Sequence, residues 1–251
     1  MSGIGTFPFG QPILPVVQRD KTAKQVFVLG VYASAVHARW VGPDGKLRIN
    51  ALAVASEPEI FWGGDKVEEI LRQMPLPEGA GRLEPASSQF NGPSGRALDG
   101  LFLAPLGLCR HKAWLCDLVP HSCMNERQAQ AMERLGLPKP QWPTVPKKLA
   151  DEQRRSEIEV ELHQSAASVL ITLGDQPLRW FTKYFGSEDR LGDYGETAAE
   201  YGRLHAIRVG DHDLRLLPLV HPRQADKLGN YSPLWWGLHE RWRREVAPQL
   251  L

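Results

Sequence analysis

The stretch VFVLGVYASAVHARW, residues 26–40, decides the fold because an apolar run ends there in a glycine followed by polar side chains. The large apolar residues before Gly30 predict a short buried strand, which would carry Tyr32 and Ser34 to the rim of a sheet. Beyond Ser34, two alternating segments flank a Gly-Pro-Asp-Gly turn at residues 42–45. This pattern predicts an antiparallel β-hairpin inserted after the first strand.

Further short runs have the length and composition of strands. They are AWLCDLV (residues 113–119), VLITL (residues 169–173), RLHAIRV (residues 203–209) and DLRLLPLV (residues 213–220). Short apolar strands alternating with helical patterns predict an α/β fold, with a mostly parallel sheet and helices on both of its faces. We expect a single domain over residues 1–251, in which residues 1–24 form an irregular N-terminal arm.

The composition is that of an ordinary globular protein: 42% of the 251 residues are hydrophobic, 24% are charged, and the formal net charge is +1. This net charge gives no global sign of a polyanionic partner. No apolar run approaches the roughly 20 residues that span a bilayer, and the N-terminal sequence lacks the pattern of a signal peptide. We expect a cytoplasmic protein that makes no membrane contact and is a monomer.

The cysteines Cys109, Cys116 and Cys123 stand seven residues apart. Their odd number argues against a disulfide scaffold and fits a reducing compartment. Their spacing differs from the close pairs of zinc and iron–sulfur sites, so no metal and no cofactor are expected. We expect three reduced thiols, at least one of them in the core. The sequence also has no Walker loop and no GxGxxG, HExxH or GxSxG motif.

Polar residues stand where the predicted parallel strands end, at residues 30–34, 117–125, 174–176 and 221–224. In parallel sheets, ligands bind in the crevice beyond the carboxyl ends of the strands. We therefore expect these four distant segments to meet at one site. Their convergence does not identify the ligand.

His221 and Asp117 are titratable residues of this predicted site. The apolar run before His221 and the proline after it hold the imidazole on a rigid element, as a catalytic or oxyanion-stabilising group requires. The alternative is a histidine that only caps the strand by bonding a backbone carbonyl. Asp117 lies within an apolar strand, so its carboxyl group needs donors or an unusual pKa. The alternative is a carboxylate satisfied by neighbouring backbone N–H groups.

Aromatic and amide side chains supply further candidates. Tyr32 and Trp40 could stack on a planar base, although cross-strand packing in the hairpin is the simpler explanation for Trp40. The amide of Asn91 could contact a ligand edge, or its turn sequence could simply begin a helix. The last helix, residues 233–246, interleaves arginines with tryptophans and could contact phosphates, but tryptophans that face the core explain the same pattern.

The order of these motifs resembles the uracil-DNA glycosylase superfamily. In that family a first strand ends in a glycine-led motif, and a second supplies the asparagine that reads the base. A third has the form VILxLG, and a fourth ends in His-Pro-Ser. The counterparts here are VFVLGVYAS, AWLCDLVP, VLITLGDQPLRWF and PLVHPRQADKLG. The similarity runs in order over residues 7–246, is strongest in the last two motifs and is weak over residues 35–110.

The resemblance implies a three-layer α/β/α fold around a central, mainly parallel four-stranded sheet. It also implies an enzyme that cleaves the N-glycosidic bond of an extruded base held at the strand ends. His221 matches the histidine that stabilises the departing base anion, and Asp117 falls where the base-reading asparagine would lie. Tyr32 stands where relatives carry a water-activating acid or amide, so Asn91 is a second-tier candidate for positioning water. The remaining positions implied to bind the base or ligand are Gly30, Ser34, Gly174 and Arg223.

The sequence also departs from the family pattern. Ala33 replaces a proline, and Arg223 replaces the serine after His-Pro. An ionised Asp117 only accepts hydrogen bonds, so it would suit an amino group better than uracil O4. The function predicted is excision of a flipped, deaminated base from DNA that is single-stranded or damaged. The alternatives are a non-catalytic nucleic-acid or nucleotide-binding member of the superfamily, and a small-molecule hydrolase using Asp117 and His221.

Overall fold

The computed structural model describes residues 4–123, 126–134, 151–183 and 187–251. The chain divides into two compact units. The first unit consists of Met1–Val16, Tyr32–Pro93 and Pro120–Lys147, and the second unit consists of Val17–Val31, Ser94–Val119 and Lys148–Leu251. This division does not decide whether the chain is a single domain, which stays a prediction.

Strands and helices alternate along most of the described chain. The strands are β1 (Val26–Tyr32), β2 (Ala35–Val41), β3 (Leu47–Ser56), β4 (Arg82–Pro85), β5 (Ala113–Val119), β6 (Val169–Leu173), β7 (His205–Val209) and β8 (His212–Leu219). The α-helices are α1 (Val67–Arg72), α2 (Pro93–Ala97), α3 (Glu126–Arg134), α4 (Glu152–Ser165), α5 (Asp175–Lys183), α6 (Pro222–Ala225) and α7 (Pro233–Glu245). A π-helical segment, Leu98–Leu103, continues directly from α2. The sequence LPKPQWPTVPKK, residues 137–148, predicts a proline-rich connection, and this segment lies outside the described residues.

A mixed, mostly parallel sheet in the second unit has the strand order β5-β1-β6-β8-β7. β1 is parallel to β6, and β6 is parallel to β8 with Leu173 opposite Leu219. β7 is antiparallel to β8. The α/β class and the mainly parallel sheet are therefore confirmed, whereas the prediction of four strands is wrong because the sheet has five.

The fifth strand joins the sheet through a tight hairpin. Val209 pairs with His212, so only Gly210 and Asp211 connect β7 to β8. Gly210 has a φ of +57°, a left-handed conformation that glycine adopts without the steric cost of a side chain. The pattern of residues 203–209 predicts the strand itself. The short connection makes it pair antiparallel with its neighbour.

Two strands of this sheet, the edge strand β5 and the central strand β6, are buried along their whole length. Every residue of β5 and β6 is buried, which is typical of strands covered on both faces. Asp151 caps α4, because its carboxylate accepts the N–H of Arg154 at 2.9 Å. Arg154, Ile158 and Leu162 form its buried face at helical spacing. The three-layer arrangement stays a prediction.

The first unit contains a second, antiparallel sheet with the strand order β3-β2-β4. β2 and β3 form the predicted hairpin, in which Gly42 donates to the Lys46 carbonyl at 2.9 Å across the turn. β4 pairs with β2, with Leu83 opposite Trp40. The sequence of residues 75–96 is rich in Gly, Pro and Ser and predicts a long loop. This prediction is wrong at β4, because its four residues are too few for their pattern to indicate a strand.

The core of the first unit includes residues from the N-terminal arm. Phe7 and Ile13 are buried in the same cluster as Val36, Leu52 and Trp62. Described residues 4–24 form no helix or strand beyond an isolated β-bridge. The arm is thus irregular in conformation but anchored by its apolar side chains. Among the described residues, no helix is both long enough and apolar enough to cross a bilayer.

Candidate active site at the strand ends of the second unit

The carboxyl ends of β6 and β8 lie side by side and bring Gly174 next to His221. The Gly174 N–H donates to the carbonyl of Leu219, the last residue of β8, at 2.7 Å. A Cβ atom on Gly174 would lie 3.0 Å from the His221 Cβ, and the φ of Gly174 is +91°. Both the backbone conformation and the close approach therefore favour glycine at this position. Two of the predicted site residues are thus immediate neighbours.

His221 caps the short helix α6. Its Nδ1 accepts the N–H of Arg223 at 3.1 Å, and Pro222 occupies the first helical position, where no N–H is needed. This bond to a backbone N–H differs from the carbonyl bond expected of a simple strand cap. Because Nδ1 is an acceptor, the proton of the neutral ring must reside on Nε2.

The His221 imidazole is held in its neutral form. Burial, reinforced by the charge of Arg223, lowers the pKa of His221 from 6.5 to about 4. Near neutral pH the ring therefore carries no charge and offers one N–H donor at Nε2. A neutral donor fixed in position can stabilise negative charge that develops on a ligand.

Asp117 lies in β5 with only 3% of its surface exposed. Burial raises the pKa of Asp117 from 3.8 to about 7; the Arg154 guanidinium opposes this shift, and Glu161 adds to it. Arg154 donates to the Asp117 carbonyl oxygen at 2.8 Å and to the Glu161 carboxylate at 3.1 Å. The carboxyl group thus has the unusual pKa that its place in an apolar strand predicted.

Asp117 lies in β5 and His221 follows β8, and these two strands are not adjacent. β1 and β6 lie between β5 and β8 in the sheet. With a spacing of about 4.8 Å between neighbouring strands, the β5 and β8 axes are roughly 14 Å apart. Asp117 is the fifth of the seven residues of β5, so it lies inside the strand and not at its end. A shared role of Asp117 and His221 in binding one base stays a prediction.

Gly30 and Arg223 differ in their surroundings. Gly30 is buried within β1, which continues to Tyr32 rather than ending at Leu29 as predicted. Arg223 is exposed on α6, and a Cβ atom on Gly229 would lie 3.6 Å from its guanidinium. A role for either residue in binding a base stays a prediction.

Tyr32 and Ser34 belong to the first unit. Tyr32 ends β1 and is 39% exposed. The Ser34 N–H donates to the carboxylate of Glu57 at 3.0 Å, and the Ser122 hydroxyl donates to the Ser34 carbonyl. Hydrogen bonds to the side chains of Glu57 and Ser122 therefore fix both the N–H and the carbonyl group of Ser34.

The Asn91 amide bridges two backbone segments of the first unit. Its Oδ1 accepts the His37 N–H at 2.8 Å, and its Nδ2 donates to the carbonyls of His37 at 3.0 Å and Ala86 at 3.3 Å. Asn91 is 2% exposed, so these bonds replace the water it would otherwise bind. The amide has a clear structural task, and its role in positioning water stays a prediction.

Glu57 is a buried acid that the sequence patterns did not single out. It follows the last residue of β3 and is 4% exposed, with its carboxylate on the Ser34 N–H. Acids rarely become this buried without a partner. An acidic residue directly after an apolar strand is the signal that could have identified it.

The last helix, α7, owes its pattern largely to packing. Trp242 is 1% exposed and donates to a backbone carbonyl, as expected if tryptophans face the core. Arg241 pairs with Glu245 at 2.7 Å and Arg243 pairs with Glu240 at 2.8 Å. Glu240 and Glu245 therefore offset the positive charge with which these two arginines would attract phosphates.

The described cysteines are all free thiols, with Cys116 and Cys123 buried and Cys109 exposed. At least one thiol lies in the core, as predicted. Within the described ranges, no three histidine, cysteine or acidic side chains gather as metal ligands.

The sequence matches no protein-family model, and no curated protein shows significant similarity to it. The likeness to the uracil-DNA glycosylase superfamily therefore stands on the quoted motifs alone. The function proposed below rests on the geometry at the strand ends of the second unit.

Proposed function

We propose that this protein is a uracil-DNA glycosylase-like enzyme that hydrolyses the N-glycosidic bond of a flipped, deaminated base in DNA. The observation that supports this most directly is His221, a neutral imidazole with its proton on Nε2, held beside Gly174 at the end of β8. The proposal includes a three-layer α/β/α single domain that works as a cytoplasmic monomer. DNA is the proposed partner.

A fixed neutral donor suits this reaction. Breaking the bond between sugar and base leaves negative charge on the base, and a hydrogen bond to the base oxygen stabilises that charge as it develops. The lowered pKa of His221 keeps the imidazole uncharged before the substrate binds. The α6 cap and the contact with Gly174 orient the ring in advance, so little reorganisation is needed during the reaction.

Asp117 is the proposed base-reading group. With a pKa of about 7, its carboxyl group holds its proton in a large fraction of molecules near neutral pH. A protonated carboxyl both donates and accepts hydrogen bonds, as the amide of an asparagine does. Asp117 can therefore offer a donor to a carbonyl edge such as uracil O4, which an ionised aspartate cannot do.

Base release from defined oligonucleotides tests the proposal. The purified protein is incubated with single- and double-stranded DNA containing uracil, hypoxanthine or xanthine, and free base is measured by chromatography. We expect release from at least one substrate, reduced about 100-fold or more by His221→Ala with little change in DNA affinity. His212→Ala is a matched control because His212 is exposed and begins the same strand. No release from any of these substrates would refute the proposal.

A non-catalytic nucleic-acid-binding protein is the second candidate, and Tyr32 favours it. The resemblance implies an acid or amide at this position, whereas a phenol with a pKa near 10 is a poor base at neutral pH. DNA binding that weakens with salt, without base release, would establish this candidate. No DNA binding at low salt would exclude both and favour a small-molecule hydrolase using Asp117 and His221.

A further inference from the structure

The peptide just before His221 is held by a side chain from a distant part of the second unit. β8 ends at Leu219, and the next N–H, that of Val220, donates to the Tyr201 hydroxyl oxygen at 3.1 Å. Val220 and Tyr201 are 1% and 2% exposed. This bond therefore fixes the backbone at the residue that precedes the imidazole.

The hydroxyl of Tyr201 is oriented in turn by His239. The Tyr201 oxygen lies 2.9 Å from His239 Nδ1, and His239 Nε2 lies 3.0 Å from the Leu101 carbonyl oxygen. A carbonyl can only accept, so Nε2 carries the proton and Nδ1 of the neutral ring accepts from the Tyr201 hydroxyl. Every donor in this chain of bonds is thus paired with an acceptor, ending at the Leu101 carbonyl.

The pair is enclosed by aromatic side chains. His239 has no exposed surface, and its ring lies 4.4 Å from that of Phe102 and stacks at 5.1 Å on that of Trp242. The Trp242 indole N–H donates at 3.0 Å to the carbonyl of Gly202, the neighbour of Tyr201. These contacts leave the phenol little freedom to move. Burial also lowers the pKa of His239 to about 4, which keeps it the neutral acceptor that Tyr201 requires.

We propose that Tyr201 and His239 are positioning residues for His221, a role that rests on the proposed function of His221. The Tyr201 hydroxyl holds the Val220 N–H, and the Gly174 N–H holds the Leu219 carbonyl at 2.7 Å. Two consecutive residues before His221 are therefore fixed by groups outside β8. The imidazole is placed by this pair of contacts, in addition to its own cap on α6.

Tyr201→Phe tests the proposal because it removes only the hydroxyl from a buried ring. We expect kcat for base release to fall about tenfold with KM unchanged, since the imidazole loses alignment but not the DNA-binding surface. Hydrogen exchange at the Val220 amide should become about fivefold faster, and the ¹⁵N shifts of the His221 ring should move. Tyr194→Phe is the matched control, because the Tyr194 hydroxyl donates to Asp189 instead.

A second variant tests whether the two residues act as one unit. His239→Leu should lower kcat in the same direction, and combining it with Tyr201→Phe should cost less than the product of the two single effects. If the reductions in kcat of the two single variants multiply in the double variant, Tyr201 and His239 do not act as one unit. Unchanged Val220 exchange and His221 shifts in Tyr201→Phe would overturn the positioning role, and so would an unchanged kcat. If the wild type releases no base, the proposed function fails, while the exchange and shift measurements still decide whether Tyr201 positions His221.

Discussion

The buried carboxyl group of Asp117 should make the stability of this protein fall as the pH rises. Its pKa is about 7 in the folded protein, against an ordinary value of 3.8. Between these two values the folded chain binds a proton that the unfolded chain has released. Proton linkage then requires the free energy of unfolding to decrease with pH across this window, and the contribution of Asp117 is fully present only below about pH 4.

The shift sets the size of the effect. A difference of about three pKa units is worth roughly 4 kcal/mol when the carboxyl group is fully ionised. Integrating the linkage relation from about pH 5 to about pH 8 gives a loss of roughly 2.5 kcal/mol in the free energy of unfolding. Asp117→Asn has nearly the same shape and cannot ionise, so it should lack this loss. Other titrating groups are common to both proteins and cancel in the comparison.

Urea unfolding of the wild type and Asp117→Asn at about pH 5 and pH 8 measures this difference. The stability of Asp117→Asn relative to the wild type should rise by roughly 2.5 kcal/mol between the two pH values. Asp213→Asn is the control, because it makes the same substitution at a side chain that is 88% exposed. Parallel pH profiles for the wild type and Asp117→Asn would refute a raised pKa at Asp117.

Further substitutions probe other contacts. Asn91→Ala should lower the free energy of unfolding in urea by about 3 kcal/mol, because the buried His37 N–H loses its acceptor; a change within about 0.5 kcal/mol would contradict this. Gly174→Ala should abolish base release, because its Cβ would crowd His221. Gly210 also has a positive φ but has open space around it, so Gly210→Ala should only reduce stability. Equal base release by the two variants would contradict a role for the close approach of Gly174 to His221. Arg154→Met should lower the free energy of unfolding by about 3 kcal/mol, because the Asp117 carbonyl and the Glu161 carboxylate lose their donor. Denaturant unfolding measures this change, and an unchanged free energy of unfolding would contradict it.

Local sequence patterns predicted the strands whose bounds depend only on where an apolar run begins and ends. The bounds of β5 and β6 agree residue for residue with the apolar runs at 113–119 and 169–173. These strands are buried on both faces, so their limits are set by where hydrophobicity stops. The closeness of Gly174 and His221 follows from the parallel pairing of β6 with β8, which makes neighbouring strand ends meet.

Contacts between distant segments could not be predicted in the same way. β4 exists because β2 offers it an edge, and its own residues carry no strand pattern. The bonds between Asn91 and His37 join positions 54 residues apart, and nothing in either local sequence distinguishes an amide that bridges strands from one that binds a ligand. The acceptor for the Val220 N–H likewise comes from Tyr201, across a hairpin turn.

His221 and Asp117 both offer uncharged hydrogen-bonding groups near neutral pH. His221 loses its charge through a pKa lowered to about 4, and Asp117 tends to lose its charge through a pKa raised to about 7. Burial is the main cause of both shifts, because removing water from either group penalises its ionised form. Uncharged groups distinguish ligands by the pattern of hydrogen-bond donors and acceptors on the ligand's edge. Binding a phosphate would instead require fixed positive charge. Under the proposed function, the neutral state of both groups suits a base better than a phosphate, and affinity for the DNA backbone would come from other residues.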